Sequence, residues 1–376
     1  MTGPLVVAEP STDDGHELQA PARASAILDA LVRSVGPIIL ALIACGALLA
    51  IIGRDPLAFY GDIVDSGVLR PSGLQDSITR MAPILLVAAG LIVAFRAALW
   101  NLGSDGQYLL AAAIVAGTGP GLLAAVAPPL GWLVLAIFGM VVASAWTLIP
   151  AILRARYGLN EIVTTLMMTF VGVGLANLLV KGPFDGPSTV PQTAVVDPSL
   201  LLFDLPGTRI HIGVIAALLA VVAVYWIFAR TSFGMRIDVL GANARAAEHV
   251  GIGVPRLIVI TFLLSGALIG LAAAVDITGI FGYMRADWNP AYGLKVVPLV
   301  FLARLNAIAV IPFAAFFSVL SIGGEFAARR AELPSDFLLL VIGLVLLFMV
   351  LTQYLSDKRE RGEPILRRRR QVAEHA

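Results

Sequence analysis

The residues best suited to handle a polar solute lie inside apolar sequence. Asn101, Ser104, Asp105 and Gln107 belong to the run Asn-Leu-Gly-Ser-Asp-Gly-Gln, which interrupts an apolar stretch from residue 81 to 117. Two amides, a hydroxyl and a carboxylate offer donors and acceptors for hydroxyl groups or a base. A glycine-interrupted helix at membrane depth is the sequence mark of a solute path; an ordinary loop joining two helices is the alternative. Thr165, Thr169 and Asn177 are spaced by four and eight residues and so share one helix face. Such a polar stripe either lines a path or bonds neighbouring helices together. Asn160 and Glu161 open the same helix. Capping and the helix dipole account for both, with solute contact as the other reading.

Other chemistry finds little support. The four histidines, His16, His211, His249 and His375, show no metal-ligand spacing, and the one cysteine, Cys45, lies in an apolar run. A lone buried cysteine usually behaves as a small hydrophobe. Gly117-Thr-Gly-Pro-Gly121 is glycine-rich but lacks the Lys-Ser/Thr that would hold phosphate and magnesium. No metal or cofactor is expected in this chain. The net charge of +1 gives no electrostatic case for nucleic acid.

The elements that must position these residues are membrane helices. Of 376 residues, 59% are hydrophobic and 14% charged, against about 25% charged in an average soluble domain. Spans of roughly 20 apolar residues are clear at 35–53, 131–153, 162–180, 212–228, 257–275 and 337–355. They are less regular at 81–95, 107–125, 292–303 and 307–322. Ten helices place both termini on one side. About two thirds of the 26 Lys and Arg residues then fall on that side, which the positive-inside rule makes the cytosol. Residues 54–80 and 181–211 become outer loops and 230–256 an inner one. Segment 292–303 is short enough to be re-entrant. Residues 1–34 have no apolar h-region and read as a flexible cytosolic tail, 35–355 as the membrane domain, and 356–376 as a basic cytosolic tail. Gly266 and Gly270 form a GxxxG pair suited to tight helix packing. Trp288 and Tyr292 read as outer interface residues.

The inner loop predicts a helix of about two turns. Asn243 is a good N-cap, Ala244 to Val250 are mostly helix formers, and Gly251 suits the left-handed position at a helix end. Ala246 and Ala247 give a low-relief surface beside Arg245 and Glu248. So short a helix must pack on something: a cytosolic partner, or the inner ends of its own spans.

Here a family resemblance emerges. Thr231-Ser-Phe-Gly-Met-Arg, Gly241-Ala-Asn-Ala-Arg-Ala-Ala and Gly251-Ile resemble the coupling loop of ABC importer permeases of the ribose, nucleoside and branched-chain amino acid group. Phe95-Arg-Ala-Ala-Leu-Trp-Asn-Leu-Gly-Ser-Asp-Gly-Gln107, Leu153-Arg-Ala-Arg-Tyr-Gly-Leu-Asn-Glu-Ile-Val-Thr164, and Phe301-Leu-Ala-Arg-Leu-Asn306 followed by Gly323-Gly324 are similar to the simple-sugar and nucleoside branch. The blocks occur in the family's order, between about residues 80 and 355.

The resemblance implies an all-α type II importer permease in the bacterial inner membrane. It implies that Gly234, Arg236, Gly241, Asn243, Arg245, Ala246, Ala247, Glu248 and Gly251 dock on a cytosolic ATPase that carries the ATP and magnesium. It also implies a second permease, often a different chain, and a periplasmic protein that delivers a nucleoside or simple sugar. Asp276 matches a carboxylate common in the family and joins the path-lining candidates by resemblance; an outer-interface position is the alternative. Three positions depart from the pattern: Thr169 replaces Asn, Lys295 replaces a small polar residue, and Ala rather than Pro follows Asn306. They bear on the solute, not on membership. A secondary transporter would need ion-coordinating groups at mid-membrane, and a membrane enzyme convergent His, Asp or Cys groups; the spans offer few of either.

Overall fold

The computed structural model describes the backbone of residues 20–334, side chains from residue 35, and scattered positions between 337 and 358. Residues 356–376 and the expected span at 337–355 lie largely outside the described residues. Part of the expected N-terminal tail, from Ala20 onward, is helical.

The described chain is helical, in the order α1 (Ala20–Ile51), α2 (Pro56–Val64), α3 (Pro71–Arg96), α4 (Ser104–Ala125), α5 (Pro128–Tyr157), α6 (Glu161–Lys181), α7 (Gly213–Arg230), α8 (Ser232–Ala242), α9 (Ala244–His249), α10 (Val254–Asp276), α11 (Tyr292–Leu302) and α12 (Val310–Arg330). Among the described residues, seven helices are long and apolar enough to cross a membrane: α3 to α7, α10 with the turn that extends it, and α12. α11, with 11 residues, is about 16 Å long and covers only half of a hydrocarbon core near 30 Å. It is therefore a half-span. Residues 54–80 are not an outer loop: they hold α2, a π-helical turn at Asp65–Leu69 and the first part of α3. Hydropathy hid these because each mixes charges with apolar residues.

Local signals set the boundaries. Asp55 caps α2 by accepting from Leu57 and Ala58 amides, and Pro56 occupies the first turn. Gly158, at φ +64°, ends α5; its amide bonds Arg154 O, the αL closure of a helix, and the Leu159 amide bonds Leu153 O. Asn160 then caps α6 through the Ile162 amide at 2.9 Å.

α10 is the axis of the bundle, with α5 and α3 packed along it. A Cβ on Gly270 would lie 2.0 Å from Gly139 O, so the backbones of α5 and α10 touch, as the GxxxG pair predicts. α3 is buried from Met81 to Phe95. By contrast, Leu133, Ile137 and Val141 of α5, Val163, Met167 and Phe170 of α6, and Leu219 and Val222 of α7 are exposed. These outer faces carry the apolar surface a bilayer solvates.

The near end of the bundle carries α8 and α9. The far end is covered by residues 182–212, whose isolated bridges and backbone bonds tie them to residues 282–286.

Candidate functional site

Two breaks in the helical bundle bring the polar residues together. The first, residues 97–103, lies between α3 and α4. Ala98 adopts φ +54° there, a region L residues rarely enter. Asn101 and Gln107 form a reciprocal amide pair: Gln107 Nε2 donates to Asn101 Oδ1 at 2.7 Å, and Asn101 Nδ2 donates to Gln107 Oε1 at 3.2 Å and to Ser265 Oγ at 3.0 Å. Both are fully buried, so the pair answers its own hydrogen-bonding demand inside the bundle.

The polar stripe of α6 holds both breaks. Thr165 Oγ1 accepts from the Leu102 amide at 3.2 Å, and Thr169 Oγ1 donates to Leu102 O at 3.1 Å. Asn177 Oδ1 accepts from the Asp287 amide at 2.7 Å, beside a Lys181–Asp287 ion pair at 2.8 Å. The stripe thus bonds the backbone of both breaks. Glu161 is buried and paired with Arg154 at 3.2 Å. Asn160 and Glu161 therefore serve the start of α6.

The second break runs from α10 to α11. It comprises a π-helical turn, Ile277–Phe281, and an irregular segment in which Asp287 and Ala291 both have positive φ. Asp276, last residue of α10, is fully buried within the chain. Its Oδ2 accepts a short hydrogen bond from the buried Tyr108 hydroxyl of α4. Its Oδ1 accepts none among the described residues. Arg80 of α3 is an electrostatic neighbour; it donates to the Tyr292 hydroxyl at 3.2 Å and lies 5.2 Å from the Phe281 ring centre.

Tyr292 corrects the sequence reading. It is not an interface residue but a buried ring at the start of α11, 5.2 Å edge-on from Tyr108. Trp288 is half-buried against Phe281. Tyr292 is buried because α11 packs its first turn against α3 and α4, where the Arg80 side chain and the Tyr108 ring enclose it.

The breaks meet at the N-termini of α4 and α11. Asp105, in the first turn of α4, accepts from the Gly293 amide of α11 at 2.7 Å. A Cβ on Gly293 would fall 2.3 Å from Ser104 Oγ, so the two starts are in direct contact. One carboxylate thus sits at the positive ends of two helix dipoles. Asp105 and Lys295 neighbour each other and are both only half-buried. Glu325 of α12 is a further charged neighbour of Lys295, and Ser321 of α12 shares a small cavity of about 30 Å³ with Tyr292 and Lys295. This flank carries charge at depth, where lipid contact is costly.

At the near end, the expected two-turn helix is α9, capped by Asn243 through the Ala246 amide at 3.1 Å and ended by Gly251 at φ +80°. It is preceded by α8, which the sequence reading missed; Thr231 caps it through the Gly234 amide at 3.2 Å. Ala247 is fully buried in a cluster with Ala151 and Leu257, so it anchors α9 and offers no free surface. Gly234 is buried and Gly241 half-buried. Met235, Arg236, Arg245, Ala246, Glu248 and Val250 are exposed.

Arg80 and Tyr108 were also missed as site residues. Arg80 sits at the edge of an apolar run and counted as a loop charge, and Tyr108 reads as one more apolar residue. For Arg80 the signal was its helix: Pro71 in a first turn starts α3 early enough to place Arg80 inside it.

Residues 73–350 match the family described as branched-chain amino acid transport system / permease component. A glucose ABC transporter permease protein of Haloferax volcanii is 31% identical over 86% of this chain and 87% of its own length. A guanosine ABC transporter permease protein of Bacillus subtilis is 28% identical over 73% and 80%. A nucleoside ABC transporter permease protein of Lactococcus lactis is 26% identical over 79% and 84%. With its apolar spanning helices and buried breaks, the chain belongs to this family and is a multi-pass permease subunit of an ABC importer, of the simple-sugar branch.

Proposed function

We propose that the chain forms one side of the path for a nucleoside or simple sugar across a bacterial inner membrane, with its near end and both termini in the cytosol. The relatives named for glucose, guanosine and nucleosides support the substrate class. The observation that carries the path assignment is the half-buried Asp105–Lys295 flank at the joined starts of α4 and α11. A flank with charge at that depth needs water or protein against it, not lipid. A second permease subunit, a different chain, supplies the other side. Of the polar candidates, Asp105 faces the path, while Asn101, Ser104, Gln107, Thr165, Thr169, Asn177 and Asp276 shape it by holding the breaks.

The exposed residues of α8 and α9 dock on a cytosolic ATPase, which binds ATP and magnesium; this chain carries no cofactor. The far end receives the periplasmic binding protein. Transport then follows from states that differ in their affinity for these partners.

The test is copurification of the tagged chain from native membranes, with partners identified by mass spectrometry. Recovery of an ATPase, a second permease and a binding protein is expected, the last binding guanosine or a hexose. Recovery of this chain alone, transporting in liposomes without ATP, would contradict the reading.

A further inference from the structure

Arg96 joins three helices at the near end. In the last turn of α3, its Nε donates to Asp238 Oδ1 at 2.8 Å and a terminal nitrogen donates to Oδ2 at 2.6 Å, so the pair to α8 is bidentate. Its guanidinium carbon lies 4.1 Å from the centre of the Phe228 ring of α7. The backbones are equally close: a Cβ on Gly241 would fall 2.0 Å from Arg96 O, so α8 rests on the end of α3. Ile237 and Leu240 of α8 and Ala247 of α9 share one apolar cluster with Ala97 and Leu99. Displacing α8 therefore displaces the first break.

That break and the helix turns flanking it grip α11 at both ends. Phe95 stacks on Phe301, near the C-terminus of α11, with ring centres 5.3 Å apart, and Trp100 lies 5.6 Å from the same ring. At the other end Asp105 holds the Gly293 amide. The half-helix that carries Lys295 is thus clamped by residues on either side of Arg96.

We propose that the Arg96–Asp238 pair is the joint through which movement of α8 and α9 reaches α11, with Arg96 a positioning residue that touches neither the ATPase nor the solute. The proposal rests on the reading of α8 and α9 as the ATPase docking element. The chemistry suits a joint: a bidentate guanidinium–carboxylate pair fixes orientation as well as distance, which a lysine point charge does not. With 29% and 39% of their side chains exposed, the two residues remain partly solvated, so removing one charge does not strand the other inside the bundle. Substitutions should therefore leave the fold intact and read out in coupling.

The experiment uses the assembled importer, measuring recovered ATPase and solute transported per ATP hydrolysed. In Arg96→Gln and Asp238→Asn, ATPase recovery is expected to stay normal while transport per ATP falls about tenfold, within the usual range of coupling between two sites. Arg96→Lys, which keeps the charge and loses the fork, should fall part of the way. The exchange Arg96→Asp with Asp238→Arg should restore most of the loss. A simple structural staple would instead lower the amount of assembled complex and leave transport per ATP unchanged; that result, or wild-type ratios in every variant, overturns the joint alone. Failure of the wild-type chain to recover any ATPase overturns the docking reading and the joint with it.

Discussion

The two helix breaks solve the same problem with different chemistry. Each interrupts the helical ladder inside the bundle, and each places a non-glycine residue at positive φ. The α3–α4 break is neutral: Asn101 and Gln107 bond one another, Ser265 takes the second amide proton of Asn101, and α6 threonines hold the Leu102 backbone. The α10–α11 break is charged. Asp276 is enclosed with one carboxylate oxygen unbonded among the described residues, Arg80 and two tyrosines surround it, and Lys295 emerges on the half-buried flank. A closed neutral network behaves as architecture, whereas charge retained at depth signals function. The π-helical turn at the charged break agrees, since such turns recur at functional sites.

Substitution can break this contrast. The largest effect is expected for Arg80→Ala, which takes the charged donor from the buried Tyr292 hydroxyl and the neighbouring cation from Asp276, and should cost about 3 kcal/mol. Thermal unfolding in detergent would show it as a large drop in midpoint. A change below about 1 kcal/mol would mean that the charged break is as self-sufficient as the neutral one. Gln107→Ala strips Asn101 of a partner and should cost about 1–3 kcal/mol. Adding Asn101→Ala should cost less than the sum of the two single changes, because a shared pair is not additive. Strict additivity in the unfolding midpoints would deny that the amides act as a unit. The smallest effect on stability belongs to Lys295→Ser, within about 1 kcal/mol because the lysine is partly exposed. The same change should alter solute transport by the assembled importer, and unchanged rates for both guanosine and glucose would remove Lys295 from the path.

Most of the bundle was legible in the sequence, because apolar runs of span length have few alternatives to a membrane helix. The first break was legible too: Asn101, Ser104, Asp105 and Gln107 cluster within seven residues, with glycines between them. The second was not. Its members, Arg80, Tyr108, Asp276, Tyr292 and Lys295, come from four helices, and no local pattern links them. Arg80 looked like a loop charge because hydropathy averages a single charge into its surroundings, and Lys295 stood out only as a departure from the family pattern, with no partner visible in the sequence. α8 was missed because its apolar face is only three residues, Gly234, Ile237 and Leu240, and shows only against the rest of the bundle. Ala247 shows the limit of reading a face from composition: two adjacent alanines look alike, yet one is fully buried and its neighbour exposed.

The central claim is that the flank at the meeting of α4 and α11 faces the solute path, while the flank of α5, α6 and α7 faces lipid. The single cysteine, the buried Cys45, makes this directly measurable. In a Cys45→Ala background, Lys295→Cys and Leu219→Cys would each be treated with a water-soluble, membrane-impermeant thiol reagent in the assembled importer, with and without ATP. The account predicts that position 295 reacts, at a rate that changes with ATP, and that position 219, 64% exposed in the isolated chain, stays silent in the membrane. Silence at 295 under every condition, or equal labelling at both positions, would contradict it.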